Sequence, residues 1–173
     1  GFSQISAKEK RATPCAEHGT CSLRPLMAMS RGLQGAFPVM LAQAYLDENR
    51  CDDCLRLLEN TPYFTNWEGQ DIVWQLFNRA HILRGRERLE KGDARSALAD
   101  FEAALTYPEN LGVGRRDKPV EAPAQYWRGR ALLALGRYRE ARDAWLMGVS
   151  LPSVAGEQDE YREKCRQALQ ELP

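Results

Sequence analysis

Hydrophobic residues recur along most of the chain at three- and four-residue intervals, and turn-forming residues break that rhythm at regular distances. The clearest stretch runs from Tyr126 to Trp145. Its first apolar face predicts a helix that stops at Gly136, and a second helix begins near Tyr138. Glycine reaches positive φ without steric cost, so Gly136 suits the left-handed residue that ends a helix. In the second helix Ala141 is small enough for two helices to approach closely. Trp145, four residues on, shares that face and is expected to fill the space between hairpins.

The arrangement recurs upstream. Gly85 matches Gly129, Gly92 matches Gly136, Ala97 matches Ala141, Phe101 matches Trp145, and Pro108 matches Pro152. A weaker copy starts at Met40, with Asn49 in the turn, Cys54 at the small position and Leu58 at the large one. Asn49, Gly92 and Gly136 lie 43 and 44 residues apart. The expected fold is all-α, built of stacked antiparallel helix hairpins, about three repeats at 36–68, 78–110 and 122–153. A stripe of Tyr161, Cys165, Ala168, Leu169 and Leu172 predicts a C-terminal capping helix over 157–173, apolar on one side and polar on the other. Residues 1–35 are broken by Pro14, Gly19, Pro25, Gly32 and Gly35. They are expected to form an irregular segment packed on the first hairpin, with a short helix around 26–33.

The series of small residue, Gly turn, small residue, aromatic, Ala and Pro resembles the tetratricopeptide repeat. That resemblance implies a right-handed superhelix and a scaffold or protein-binding function. The family's repeat is 34 residues long, so each unit here carries an insert, Thr61–Gly69 and Glu109–Pro119. The phrases Thr61–Gly69 and Leu105–Arg115 together resemble the tetratricopeptide region at the C-terminal end of bacterial proteins with a DUF5107 domain, over roughly 37–150. This second resemblance implies an alternative function, an auxiliary C-terminal region of a carbohydrate-active enzyme. It supplies no ligand or catalytic residue.

Composition narrows the partners. Lys plus Arg and Asp plus Glu are 24 each, so the basic excess of a dedicated nucleic-acid binder is missing. No apolar run approaches the roughly 18 residues needed to span a bilayer, and residues 1–20 carry no signal-type apolar stretch. Five cysteines, an odd number, do not suggest a disulfide framework. The expected setting is cytoplasmic and reducing, with neither nucleic acid nor membrane as partner.

Candidate chemistry is sparse. Cys15, His18 and Cys21, with the Cys51-x-x-Cys54 pair, contain enough nitrogen and sulfur ligands for zinc, which makes a small zinc-binding protein a second alternative. The register favours a packing role for Cys51 and Cys54, because they match Ala94 and Ala97. His81, matched by Gln125, is expected to be a satisfied interhelical histidine. The carboxylates lie among Arg and Lys and are expected on solvated faces, in pairs such as Glu87 with Lys91. Gly112–Arg116 could form an anion nest, with a plain flexible turn as the simpler reading. Trp67, in the first insert, is expected to pack. No catalytic arrangement and no cofactor is expected.

The functional surface expected from geometry is the concave face, lined by the first helix of each pair. Gln43, Arg79, Ile82, Arg86, Tyr126 and Arg130 fall there and would form a basic, aromatic groove. Guanidinium forks bind carboxylates, and tyrosine offers rigid contact area. The expected ligand is a protein or peptide partner of acidic character, or a neighbouring domain. Pairing of these arginines with local glutamates is the competing expectation, and homo-oligomerisation is left open.

Overall fold

The computed structural model describes residues 36–61 and 72–172. Residues 1–35, with Cys15, His18 and Cys21, and Trp67 lie outside the described residues, so the expectations for them do too. Among the described residues there are seven α-helices and no strand. They are α1 (Ala36–Asp47), α2 (Cys51–Asn60), α3 (Ile72–Glu90), α4 (Ala94–Ala103), α5 (Ala122–Ala134), α6 (Tyr138–Ser150) and α7 (Glu157–Glu171). A short 3-10 turn, Glu109–Leu111, lies between α4 and α5.

Three hairpins, α1/α2, α3/α4 and α5/α6, are closed by the same backbone device. Asn49, Gly92 and Gly136 have φ of 58°, 84° and 72°. At each, the left-handed residue donates to the carbonyl three residues back, and the next N–H reaches five residues back. Gly92 N donates to Leu89 O and Asp93 N to Arg88 O; Gly136 N donates to Leu133 O and Arg137 N to Leu132 O. Asn49 N and Arg50 N repeat this onto Leu46 O and Tyr45 O. These bonds use carbonyls that a helix end leaves without partners, so the chain reverses with its polar backbone satisfied.

Packing follows the register. Cys54, Ala97 and Ala141, each fourth in its helix, are fully buried. Four residues on, Leu58, Phe101 and Trp145 are buried as well. Trp145 fills the crossing of its own hairpin and belongs to a core cluster that also takes in Phe101 of the preceding hairpin and Cys165 of α7. The indole covers Gly129, and its Nε1 donates to Tyr126 O at 3.1 Å. The glycine leaves room for a large ring at the point where the helices cross. Phe101 covers Gly85 in the same way and also faces Trp127 of the next hairpin, with ring centroids 6.3 Å apart.

Inner helices pack on inner helices: α1 on α3, α3 on α5, and α5 on α7. Each outer helix packs on the inner helix that follows it: α2 on α3, α4 on α5, and α6 on α7. In these contacts α7 stands where the first helix of a fourth hairpin would stand. Tyr161 and Cys165 are buried under it, while Ala168, Leu169 and Leu172 are partly buried, so its apolar stripe caps the stack.

Two expectations are corrected. Gly112–Arg116, expected to be a plain flexible turn, belongs to a Glu109–Pro119 insert that is tied down. Leu111 is buried in the core of the first hairpin, Asn110 Nδ2 donates to Leu58 O at 2.8 Å, and Arg115 forks onto Glu121 with two bonds of 2.9 Å. Tyr107 stacks on Trp74 at 4.7 Å and donates to Glu121 at 2.8 Å. The carboxylates of Asp100 and Glu121 are also not solvated; both are buried. A buried carboxylate is stable only when paired and hydrogen-bonded, and here arginines arrive from other segments to do so.

Candidate functional site

A cleft of about 490 Å³ opens on the inner face. Gln43 of α1 and Arg79, Ile82 and Arg86 of α3 line it. Pro123 of α5 lies at its far side, and Val154, Glu157, Gln158 and Tyr161 close it. Four of the six groove residues expected from sequence therefore share one cleft. Tyr126 and Arg130 stand outside it, further along α5. Tyr126 is half-buried, 5.4 Å from the Tyr161 ring, and its hydroxyl accepts from Arg130 Nη1 at 3.1 Å.

The lining is mixed: Ile72, Ile82, Leu83 and Pro123 alternate with Gln43, Asn78, Arg79 and Gln158. Ile82 is nearly buried against Ala104 and Ala124, so it shapes the cleft more than it offers contact. The cations differ in setting. Arg79 is exposed. Arg86 is half-buried, its guanidinium carbon 4.8 Å from the centroid of the Trp127 ring, and its Nε is buried with no hydrogen-bond partner. An arginine held over an aromatic face is attracted to the ring electrons and keeps its outer N–H groups for an anion.

Most arginines elsewhere are engaged. Arg84 and Arg88 converge on Asp100, at 2.6 and 2.8 Å, and Arg84 also reaches Asp52 of the first hairpin at 2.6 Å. Arg115 pairs with Glu121, Arg137 with Glu140, and Arg162 with Asp159. Among the described residues, Arg79, Arg86 and Arg130 on the inner helices have no carboxylate partner, and neither do Arg95, Arg139 and Arg142 on the outer helices.

The other singled-out residues are structural. His81 Nδ1 lies 3.3 Å from Asp100, buried and edge-on to Phe77. Burial alone would raise the Asp100 carboxyl. Hydrogen bonds from His81 and Arg84, with the Arg84 and Arg88 charges, overcome it and hold the group below the usual carboxylate range. Cys51 and Cys54 are free thiols in the first hairpin's core, and burial pushes Cys54 up to about 12. No metal-ligating cluster occurs among the described residues. The Gly112–Arg116 stretch places Gly112 in the left-handed region at the end of the 3-10 turn, with Arg115 committed to Glu121.

Sequence reasoning took α7 only as a cap and missed its part in the cleft. Gln158 is almost fully buried, accepts from Ala122 N at 3.0 Å and donates to Pro119 O at 3.1 Å, thereby capping α5 from another helix. Its position three residues before Tyr161 on the apolar stripe was the available signal.

The stacked hairpins define a helical-repeat protein of tetratricopeptide-like fold. A tetratricopeptide repeat family model matches residues 82–147, from the middle of α3 into α6. No curated protein matches the chain. Among the described residues no helix is long and apolar enough to cross a membrane.

Proposed function

We propose that this chain is a non-catalytic interaction module that holds an acidic protein segment on its inner face. The observation that carries the reading is that Arg79, Arg86 and Arg130 stand together on the inner helices, at or beside the cleft, with no carboxylate partner among the described residues. Arg95, Arg139 and Arg142 on the outer helices are also without one, but they line no cleft. Cations left unpaired beside a cleft of mixed polar and apolar lining favour a ligand that brings carboxylates together with some apolar surface. Tetratricopeptide repeats generally mediate protein–protein interaction, which agrees with this use of the inner face. The resemblance to the C-terminal region of DUF5107-containing proteins makes a neighbouring domain one source of such a segment.

The test is titration of the chain with acidic and sequence-matched neutral peptides, followed by Trp127 fluorescence and calorimetry. Binding should require the acidic residues, weaken with salt, and fall about tenfold or more in the combined Arg79→Ala, Arg86→Ala and Arg130→Ala variant, on the order of 0.5–1 kcal/mol for each exposed pair. Equal affinity for neutral peptides, or indifference to the three substitutions, would remove the inner face from consideration.

A further inference from the structure

The inner face repeats itself at the spacing of the helices. Gln43, Arg86 and Arg130 each stand six residues before a left-handed turn residue, at equivalent places on α1, α3 and α5. Met40, Leu83 and Trp127 each stand nine residues before it. Met40 is 71% exposed and Leu83 is half-buried at the cleft, so these two are available to a ligand, while Trp127 carries Arg86. A polar row and an apolar row thus run side by side across three helices.

Packed helices lie about 8–10 Å apart. A ligand crossing them must therefore present like groups at that interval. A β-strand turns alternate residues to one face, which places like groups about 7 or 13 Å apart. A polyproline II segment has three residues per turn and a rise of about 3.1 Å, so every third residue returns to the same face after about 9 Å. Of these two extended conformers, only polyproline II matches the helix interval.

We propose that the inner face takes a polyproline II segment with an acidic residue at every third position, Arg86 and Arg130 each holding one carboxylate. This rests on the acidic-segment reading above. Intervening residues, proline or aliphatic, lie along Met40 and Leu83. The amide of Gln43, which donates to Asp47 at 2.8 Å, offers the next position a neutral partner rather than a cation. The occupant's charge is chosen by complementarity to Arg79, Arg86 and Arg130, which outnumber Glu157 at the far side of the cleft. Trp127 is no stacking platform for a sugar ring, because Arg86 and Phe101 both lie against it.

The experiment uses the full chain and proline-rich peptides of equal length and charge, each carrying two glutamates spaced two, three or four residues apart. Affinity is measured by fluorescence anisotropy at low salt. The spacing of three should bind about fivefold more tightly than either neighbour, the yield of one further exposed ion pair. In Arg130→Ala, where the altered side chain is exposed, the three peptides should become equal. Equal affinities in the unaltered protein, or preference for two or four, combined with weakening by Arg86→Ala, would overturn the spacing and leave the acidic groove standing. Binding by none of the peptides, or binding indifferent to both substitutions, would overturn the groove as well.

Discussion

A Cβ atom added at Gly129 would lie 2.2 Å from Nε1 of Trp145. The same relation holds between Gly85 and Phe101, at 2.6 Å to the ring. In the first hairpin the corresponding pair is Ala42 and Leu58, both fully buried in one cluster. Where the small residue gains a methyl group, the large one is an aliphatic side chain instead of an aromatic ring. The hairpins keep the same crossing by trading volume between two positions.

Gly129→Ala should therefore destabilise the protein, although alanine is the better helix former by about 1 kcal/mol. Overpacking against a buried indole costs about 1–3 kcal/mol and outweighs that gain. Combining it with Trp145→Leu, which recreates the first hairpin's pair, should recover part of the loss. Denaturant unfolding of both single variants and the double variant checks this. Additive losses would show that the two positions are uncoupled.

Gly136 separates backbone strain from crowding. Its φ is 72°, and no atom lies within 4 Å of an added Cβ. Gly136→Ala should cost about 1–2 kcal/mol through the left-handed backbone alone. At the equivalent turn Asn49→Gly should stabilise the protein by several tenths of a kcal/mol, because its φ of 58° is easier for glycine. Midpoints of urea unfolding would report both signs.

Asp100 makes the α3/α4 interface sensitive to acid. Its carboxyl is held below the ordinary range, so its contribution is fully present above the unfolded-chain value of about 4 and is lost as pH falls through the lower folded value. Asp100→Asn should cost about 2–4 kcal/mol at neutral pH, since it leaves His81, Arg84 and Arg88 facing a neutral amide. The same variant should lose less stability than the parent between pH 5 and pH 2, both limits being about one to two units around the free carboxylate value. A parallel decline in both proteins would show that Asp100 does not titrate as described.

Cys54 and Cys165 are fully buried, and burial pushes both thiols up to about 12. The thiolate is the reactive form. Both should therefore stay unmodified by alkylating reagent in the native protein and react fully in denaturant, as read by peptide mass mapping. Fast native labelling of either would mean that the helices packed around it open locally.

Much of the architecture was legible in the sequence because its signals are local. A turn residue, a small residue and a large one recur at fixed offsets within each hairpin, and Asn49, Gly92 and Gly136 adopt the left-handed conformation their positions suggested. Such offsets require only helix geometry and the limits on φ to be interpreted. The stripe on α7 was readable for the same reason.

Which arginines find a carboxylate was decided by tertiary structure. Arg84 and Arg128 stand at matching places in their repeats, yet Arg84 is held by Asp100 and Asp52, while Arg128 lies 3.6 Å from Glu102. Asp100 looks like any surface acid until three side chains from α3 surround it, and Glu121 until the insert folds Arg115 and Tyr107 onto it. Gln158 reaches residues 36 and 39 positions away. The period of a helix specifies which face a residue occupies. Which opposite charge comes to meet it depends on distant segments converging, and that is why the pairing of the arginines emerged only from the folded chain.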